Sequence, residues 1–478
     1  MRRAILSIRS RIDAARRKIA KWGGFRLHGC ITDISGLSVD VAGLSAHMTI
    51  GTRLHLYRRD GLPVLSEVIG FIDGVARVMP FDQTQALGPG GTASYLTERI
   101  NLTDADRAAH PSLRPSGPAL SISVGWLGRI IDPLANPLDG LGPLPVGDTW
   151  QFVRTAPPLA TQRARLGARV DLGVRALNLF VPCCAGQRLG LFAGAGVGKS
   201  TLLSMLARYV QCDVTVIALI GERGREVREF IEEGLGKTGL ERAVIVVATS
   251  DTSPVMRREA AYTAMAIAEY FRNQGQSVLF LMDSITRFCT ALREIGLAMG
   301  ELPAARGYPP SVFAELPRLI ERAGPGKQQP DRPPGTVLAF FTVLVDGNDF
   351  TEPVADAVRS LLDGHVILDN HIADRGRYPA VDVLRSLSRL AHQCYTPEEG
   401  NLVKRARVIL STYEEMRDLV RLGAYRPGAN EEVDLSLRLA PQIENLLQQR
   451  PDEQSSIAED FEKLRSIIEQ DCNPGSGI

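Results

Sequence analysis

An apolar run, a glycine-rich loop and a helical stretch follow one another between residues 188 and 209, and this order constrains the fold more than any other feature of the chain. Arg188 to Phe192 leads into Ala193-Gly194-Ala195-Gly196-Val197-Gly198-Lys199-Ser200 and then into Thr201 to Tyr209. Glycines let backbone amides approach a phosphate closely, and a helix start adds free amides and the positive end of its dipole. This order is typical of a phosphate-binding unit in an α/β fold.

The residues of the loop indicate how a nucleotide would be held. We expect Lys199 to reach the β- and γ-phosphates and the hydroxyl of Ser200 to bind Mg²⁺. The first loop position departs from the usual glycine, but the methyl group of Ala193 is tolerated if φ is negative there. The predicted nucleotide-binding residues of the loop are Gly194, Ala195, Gly196, Val197, Gly198, Lys199, Ser200 and Thr201.

Acidic residues stand at the ends of two other apolar runs. Residues 277–282 lead to Asp283, and residues 214–220 are followed closely by Glu222 and Arg223. Ligands of open α/β sheets bind at the carboxyl ends of strands. Asp283 fits either a strand-end cap or the Mg²⁺ shell, and the upstream loop favours the metal role. Glu222 is predicted to act as general base or to position water, and Arg223 to stabilise charge, although Gly-Glu-Arg alone is commonly a loop salt bridge.

The pattern of apolar residues divides the chain into four parts. Short strands with turns over residues 25–97 indicate a small barrel or sandwich. From about residue 120, continuous Val, Ile and Leu runs alternate with helical stretches, which indicates a parallel sheet covered on both faces. The predicted C-terminal helices are Glu398 to Leu422, Pro441 to Arg450, with Pro441 in its first turn, and Ser455 to Gln470. We therefore predict a basic amphipathic helix (1–24), a small β-barrel (25–97), a nucleotide-binding α/β core (98–395) and a C-terminal helical domain (396–478).

The formal charge of +1 conceals two segments of opposite sign. Residues 1–22 contain eight Arg or Lys and one Asp, a net charge of +7, which leaves −6 (1 − 7) on the rest of the chain. Ile5, Ile8, Ile12 and Ile19 recur there at helical spacing. Three interpretations stay open: a helix docked on its own domain, a basic amphipathic helix for an acidic membrane surface or a partner helix, and a mitochondrial transit peptide.

Cysteine usage and hydropathy indicate the compartment. The seven cysteines are irregularly spaced and form no Cys-x-x-Cys, which is typical of a reducing cytosol rather than of a disulfide framework or a zinc site. Adjacent Cys183 and Cys184 are interpreted as small buried residues. The longest apolar run, residues 337–345, is much shorter than the ~18 residues of a membrane-spanning helix. We therefore expect a cytoplasmic protein.

Several motifs together resemble the rotary ATPase superfamily. They are Ala193 to Ser200, Gly221 to Glu226 (Gly-Glu-Arg-Gly-Arg-Glu), Ala248 to Asp251 and Asp283 to Arg287. Arg306 to Phe313, with Leu316 and Glu321 to Gly324, is similar specifically to type III protein export ATPases. Leu402 to Leu422, and Gly423-Ala424-Tyr425 with Gly428, look more flagellar than injectisome-like.

The resemblance implies a RecA-like core, ATP and Mg²⁺ as ligands, and a homohexameric ring with its sites between subunits. Within it, Lys199, Glu222 and Arg223 occupy catalytic positions, and Ser200 and Asp283 occupy magnesium positions. Three further residues, outside the phosphate loop and the strand ends, match family positions that contact the nucleotide. Tyr378 and, with weaker alignment, Tyr425 match aromatic residues that pack on adenine. Arg389 matches the arginine finger that reaches the γ-phosphate of the neighbouring subunit. Without the resemblance, Tyr378 would be a surface aromatic and Arg389 a helix-surface ion pair.

The resemblance also implies partners and a location. The partners are a helical regulatory or stator protein and an anionic membrane through residues 1–22, export-gate components, a central-stalk protein, export chaperones and cargo. The location is the cytoplasmic side of the inner membrane at the export apparatus. Open alternatives are an injectisome ATPase, the catalytic subunit of a proton-coupled rotary ATP synthase, a non-catalytic ring subunit and an RNA-translocating helicase. Glu222 argues against the non-catalytic subunit, and residues 25–97, neither notably basic nor aromatic, argue against a nucleic-acid partner.

Overall fold

The computed structural model describes residues 26–82, 84–96, 118–328, 333–345 and 349–469, so the predicted N-terminal helix (1–24) lies outside the described residues. The strands are β1 Arg26–Ser35, β2 Ser38–Ala42, β3 Arg53–Tyr57, β4 Pro63–Ile72, β5 Val75–Pro80, β6 Thr92–Leu96, β7 Ala119–Leu120, β8 Ile130–Ile131, β9 Gln151–Phe152, β10 Arg169–Val170, β11 Cys183–Cys184, β12 Arg188–Ala193, β13 Val214–Glu222, β14 Ala243–Thr249, β15 Ser277–Asp283, β16 Gly324–Pro325, β17 Thr336–Leu344, β18 Gly364–Leu368 and β19 Leu387–Ser388.

The α-helices are α1 Arg175–Phe180, α2 Lys199–Tyr209, α3 Gly224–Glu229, α4 Gly236–Glu241, α5 Pro254–Asn273, α6 Ile285–Ala298, α7 Pro310–Ile320, α8 Pro353–Leu361, α9 Asn370–Asp374, α10 Ala391–Cys394, α11 Pro397–Arg421, α12 Glu431–Leu447 and α13 Ile457–Glu469. A π-helical turn, Phe230–Leu235, joins α3 to α4. Short 3₁₀ turns are Ser45–His47, Val124–Trp126 and Ala305–Gly307. Over the ranges that the structure describes, no helix is both long and apolar enough to cross a bilayer.

Strands β1 to β6 close into a barrel in the order β1-β2-β5-β4-β3-β6. Successive side chains of a strand point to opposite faces, so in β3 Leu54 and Leu56 are buried inside the barrel while His55 is exposed. The predicted small barrel is thereby confirmed. The sequence pattern missed β6, because Thr92-Ala93-Ser94-Tyr95-Leu96 lacks a clear apolar alternation.

The core is built on a mainly parallel sheet with the order β19-β18-β12-β17-β15-β13-β14-β8, and β16 pairs with β17. Both faces of this sheet are covered. In β13, Ile217 and Leu219 pack into the apolar core on one face, and Val216 and Ala218 pack into the core on the other. This two-sided burial explains the continuous apolar runs in the sequence, and it confirms the α/β class. It also places the loop-bearing strand β12 in one sheet with β13 and β15, which carry the two acids.

The C-terminal part is helical, as predicted, but the predicted first residue of one helix is wrong. α12 begins at Glu431 rather than at Pro441, and Pro441 lies inside the helix. The side chain of Asn430 caps this helix by accepting hydrogen bonds from the amides of Glu432 and Val433. The cap and the acidic first turn favour a helix start at that point, and burial of Leu439, Ile443 and Leu447 in the core stabilises the helix against the cost of its internal proline.

Candidate active site

The loop between β12 and α2 is an open cradle of backbone. Ala193 is the buried last residue of β12 and does not have a positive φ, so its methyl group is accommodated in place of the usual glycine. Gly196 and Gly198 have φ values of 77° and 89°, which residues with a Cβ rarely adopt. A Cβ added to Gly196 would meet no atom within 4 Å, so the loop faces open space.

Helix α2 starts directly after the loop with a free N-terminus. Gly198 is its N-cap residue, and no side chain caps the helix. The side chains of its first turn, Ser200 and Thr201, are exposed, as is Ala195 in the loop, whereas Gly194 and Val197 are buried. The first amides of a helix have no intrahelical partner and attract anions. The loop and the helix start are therefore arranged to receive a phosphate.

Lys199 lies between the two predicted acids. Its Nζ is 2.5 Å from Oδ1 of Asp283 and 3.5 Å from Oε1 of Glu222. These three side chains are largely buried, with exposed fractions of 13%, 6% and 13% respectively. β13 and β15 are parallel neighbours, with Leu219 paired to Asp283, so both acids emerge at the same edge of the sheet. The structure thus brings together three residues that the sequence places far apart.

The electrostatics of this cluster suit proton transfer at Glu222. Burial and then the Asp283 carboxylate raise the pKa of Glu222 to about 7, against the attraction of Lys199. Burial lowers the pKa of Lys199, but the charges of Asp283 and Glu222 outweigh burial and raise it overall. Oε1 of Glu222 is buried and has only the long ion pair with Lys199, at 3.5 Å, among the described residues. A carboxyl group with a pKa near neutrality, once Lys199 turns to a phosphate, can orient a water molecule and take its proton.

Two further residues lie beside the cluster and were not predicted from the sequence as site residues. Thr342 in β17 is fully buried and donates its hydroxyl to Oδ1 of Asp283 over 2.7 Å. Its sequence signal is a single hydroxyl within the apolar run between Val337 and Leu344. The side chain of Arg287 packs 3.0 Å from the position that a Cβ on Gly221 would take, and its charge opposes the raised pKa of Glu222.

Tyr378 flanks the phosphate loop. A Cβ added to Gly198 would lie 3.6 Å from Cδ1 of the tyrosine ring. Tyr378 is 44% exposed, and its backbone carbonyl accepts a hydrogen bond of 2.9 Å from the amide of Gln449, which fixes it to the C-terminal part. An exposed aromatic face beside the loop is a suitable stacking platform for a base.

Tyr425, the second predicted adenine contact, is held within the C-terminal part. Its one hydroxyl hydrogen is shared between the carbonyl of Asn430 (3.1 Å) and Oδ1 of Asp434 (2.9 Å). No hydrogen bond among the described residues joins it to the phosphate loop. Its contact with a nucleotide therefore stays a prediction.

Arg223 lies just outside the cluster and points into solvent. Its side chain is 82% exposed, and its ion-pair partner is Glu226 of the same turn, 3.8 Å away. This single surface pair is weak. The guanidinium is therefore free to turn towards a charged group that approaches from outside the subunit.

Arg389 lies at the opposite end of the sheet from the loop of its own chain. It directly follows β19, whose Ser388 pairs with Gly364 at the start of β18, whereas Ala193 before the loop pairs with Leu368 at the end of β18. Four strand residues span on the order of 13 Å. The Arg389 side chain is exposed and forms no hydrogen bond or ion pair with the residues described. The structure therefore does not bring Arg389 into the cluster of its own subunit.

The parallel sheet, the open loop and the Lys199 cluster define an ATPase of the phosphate-loop class. Residues 173–388 match the ATP synthase alpha/beta family, nucleotide-binding domain, and residues 395–466 match the type III secretion system (T3SS) EscN ATPase C-terminal domain. The chain therefore belongs to the ATP synthase alpha/beta family and, within it, to the flagellum-specific ATP synthases and type III secretion ATPases.

Individual relatives extend this match over almost the whole chain. The flagellum-specific ATP synthase of Caulobacter vibrioides is 48% identical over 449 residues, which cover 93% of this chain and 96% of the relative. The type 3 secretion system ATPase of Xanthomonas euvesicatoria is 43% identical over 454 residues, or 95% and 97% of the two chains. The assembled ATPase EscN from the type III secretion system of enteropathogenic E. coli has a TM-score of 0.81 at 34% identity, covering 92% of this chain and all of that one. The resemblance noted in the sequence is confirmed.

Proposed function

We propose that this ATPase energises flagellar type III protein export, in which ATP hydrolysis drives the release and unfolding of cargo at the export gate. The observation that carries the proposal is the cluster of Lys199, Asp283 and Glu222 beside an open phosphate loop. The chain that holds this cluster aligns over nine-tenths of its length with a flagellum-specific relative (93%).

In the proposed reaction each residue of the cluster has a distinct task. The loop amides and Lys199 hold the β- and γ-phosphates, so Lys199 must exchange its two carboxylate partners for phosphate oxygens. Glu222, relieved of the ammonium group, orients the attacking water and accepts its proton. Tyr378 stacks on the adenine, and Arg223 neutralises charge that develops on the γ-phosphoryl group.

The donor set at the loop also fits a magnesium ion. Mg²⁺ prefers oxygen ligands and usually keeps several waters. The exposed hydroxyl of Ser200 is one donor, and the Asp283 carboxylate is the other, acting directly or through a water. Lys199 and Thr342 both bind Oδ1 of Asp283, so Oδ2 is left for this role. The bound ion would neutralise charge on the phosphate oxygens.

Thr342→Val tests the orientation of Asp283. Valine has nearly the shape of threonine but cannot donate to the carboxylate, so Oδ1 loses the bond that fixes it. A hydrogen bond to a charged group is worth about 1.5 kcal/mol or more, so we expect the Mg²⁺ concentration for half-maximal hydrolysis to rise about tenfold. The measurement is a magnesium titration of the ATPase rate.

Two matched variants separate this role from a packing defect. Thr342→Ser keeps the hydroxyl and should restore most of the magnesium affinity. Thr336→Val changes a threonine at the start of the same strand, where no bond to Asp283 exists, and should leave the titration unchanged. An unaltered magnesium dependence in Thr342→Val would refute a positioning role.

The placement of Arg389 supports a ring in which neighbouring subunits share each site. Because Arg389 is exposed and lies far from its own loop, its predicted role as an arginine finger requires a second copy of the chain. EscN has been solved as an assembled ATPase and in complex with its central stalk EscO, the latter with a TM-score of 0.79 and 34% identity to this chain. We therefore infer a homohexamer that surrounds a central-stalk protein.

The N-terminal segment is proposed to attach this ring to the export apparatus. In the proposed division the segment (1–24) precedes the barrel (25–97), the core (98–395) and the helical domain (396–478). Its charge of +7 suits an acidic helical regulatory or stator protein and the anionic lipid of the inner membrane. The ATPase would lie at the cytoplasmic face, in contact with export-gate components, chaperones and cargo.

A pull-down from the native cell, with and without residues 1–22, tests this assignment. We expect the full-length protein to retain flagellar export components and the shortened protein to lose its regulatory partner. A variant with Arg9, Arg11, Arg16 and Arg17 changed to Gln keeps the apolar stripe and separates charge from helix formation. Recovery of injectisome or ATP synthase subunits instead would overturn the flagellar assignment while leaving the ATPase site untouched.

A further inference from the structure

Two buried thiols face each other where the core meets the C-terminal helices. Cys184 lies in β11, shortly before the phosphate-loop strand, and Cys394 is the last residue of α10. Their sulfur atoms are 3.1 Å apart, and the residues are 3% and 7% exposed. The neighbouring Cys183 points to the other face of the strand, where its thiol contacts the carbonyl of Val181. The pair is therefore specific to Cys184 and Cys394, although the two residues are 210 positions apart.

A fixed cation lies beside this pair. Arg169 is paired with Cys184 in the β10–β11 ladder and donates to the carbonyl of Cys394 over 3.3 Å. Its guanidinium is held over the ring of Tyr395, 5.5 Å from the centroid, and by an ion pair with Glu399. Positive charge next to a thiol stabilises the thiolate, which is the reactive form. Contact with the Cys394 thiol outweighs burial and lowers the pKa of Cys184 to about 7.

We propose that Cys184 and Cys394 form an intramolecular disulfide in the folded protein when it meets hydrogen peroxide. The Cys184 thiolate attacks one peroxide oxygen, which gives a sulfenic acid and, after protonation, one water. The Cys394 thiol then attacks that sulfur, and the hydroxyl group leaves as a second water. One peroxide is reduced and two thiols are oxidised. The sulfur atoms need to approach by only about 1 Å to reach bonding distance.

The bond would cross-link two segments that meet beside the arginine finger. Oε1 of Gln187 accepts from the amide of Cys184, and its Nε2 donates to the hydroxyl of Ser388, the residue before Arg389. Cys394 itself lies just ahead of α11, the first helix of the C-terminal part. Oxidation would therefore tie the junction between core and C-terminal helices covalently to β11, the short strand just before the phosphate-loop strand β12.

Peptide mapping tests the proposal directly. The reduced, purified full-length protein is treated with equimolar hydrogen peroxide, digested with trypsin without reductant and analysed by mass spectrometry. We expect peptide 176–188 to be joined to peptide 390–404, with the loss of two hydrogens, and the link to disappear after dithiothreitol. Absence of this link, or peroxide-dependent links that involve Cys30 or Cys472 instead, would overturn the proposal.

Serine variants supply the controls. Cys184→Ser and Cys394→Ser should each abolish the link, whereas Cys183→Ser, one residue away, and Cys289→Ser should retain it. A disulfide that closes so long a loop restricts the unfolded chain, so the oxidised wild type should melt several degrees above the reduced protein. Neither Cys184→Ser nor Cys394→Ser should show this shift. A link that persisted in Cys394→Ser would place the partner thiol elsewhere and refute the pairing.

Discussion

Glu222→Gln should abolish ATP hydrolysis while leaving nucleotide binding and the fold intact. Glutamine keeps the size of the side chain and can still lie beside Lys199, but it cannot accept a proton from the attacking water. The loss of a general base costs about 10²- to 10⁴-fold in rate. The measurement is steady-state phosphate release by the purified protein, together with the affinity for a fluorescent ATP analogue, which should change little.

The matched control for this variant is Glu229→Gln. Glu229 is an exposed glutamate that follows in α3 and pairs with Arg225 at 2.6 Å, outside the cluster. It should retain normal turnover because a surface pair of this kind contributes little. Robust hydrolysis by Glu222→Gln, purified free of host ATPases, would show that another group activates the water.

Arg389→Ala should retain nucleotide binding and lose the part of the rate that depends on assembly. The side chain forms no bond with the described residues, so its removal should leave the subunit folded. An arginine finger contributes about 10³-fold or more to phosphoryl transfer. We therefore expect wild-type turnover per subunit to rise with protein concentration and the variant to remain slow at every concentration.

Mixing two inactive variants gives the sharpest test of a shared site. In a ring that contains both Arg389→Ala and Glu222→Gln subunits, some interfaces combine an intact Glu222 with an intact Arg389 from the neighbour. The mixture should regain activity that neither variant shows alone. Arg359→Ala removes another exposed arginine close to His365 and should behave as wild type. A mixture that stays inactive, together with a concentration-independent wild-type rate, would contradict catalysis between subunits.

The sequence predicted the phosphate loop and the strands around it because their signals are local. Glycines at positions that need positive φ, and a lysine and a serine at the helix start, lie within eight consecutive residues. The two-sided burial of the sheet also leaves its mark on each strand separately as a continuous apolar run. The start of α12 was predicted wrongly because two local signals competed, the proline at Pro441 and the capping residue Asn430, eleven positions upstream.

Each of two apolar runs, residues 214–222 and 277–283, ends in an acid. The amino-acid sequence alone therefore determined that Glu222 and Asp283 lie at one edge of a nucleotide-binding sheet. Only the tertiary structure decided that both carboxylates share Lys199, that Thr342 holds Asp283, and that Arg389 lies beyond reach of its own loop. It also decided that Cys184 meets Cys394 across 210 residues. The physical reason is the same in each case: strand order and register set which side chains meet across the sheet, and these long-range pairings leave no pattern within any single segment.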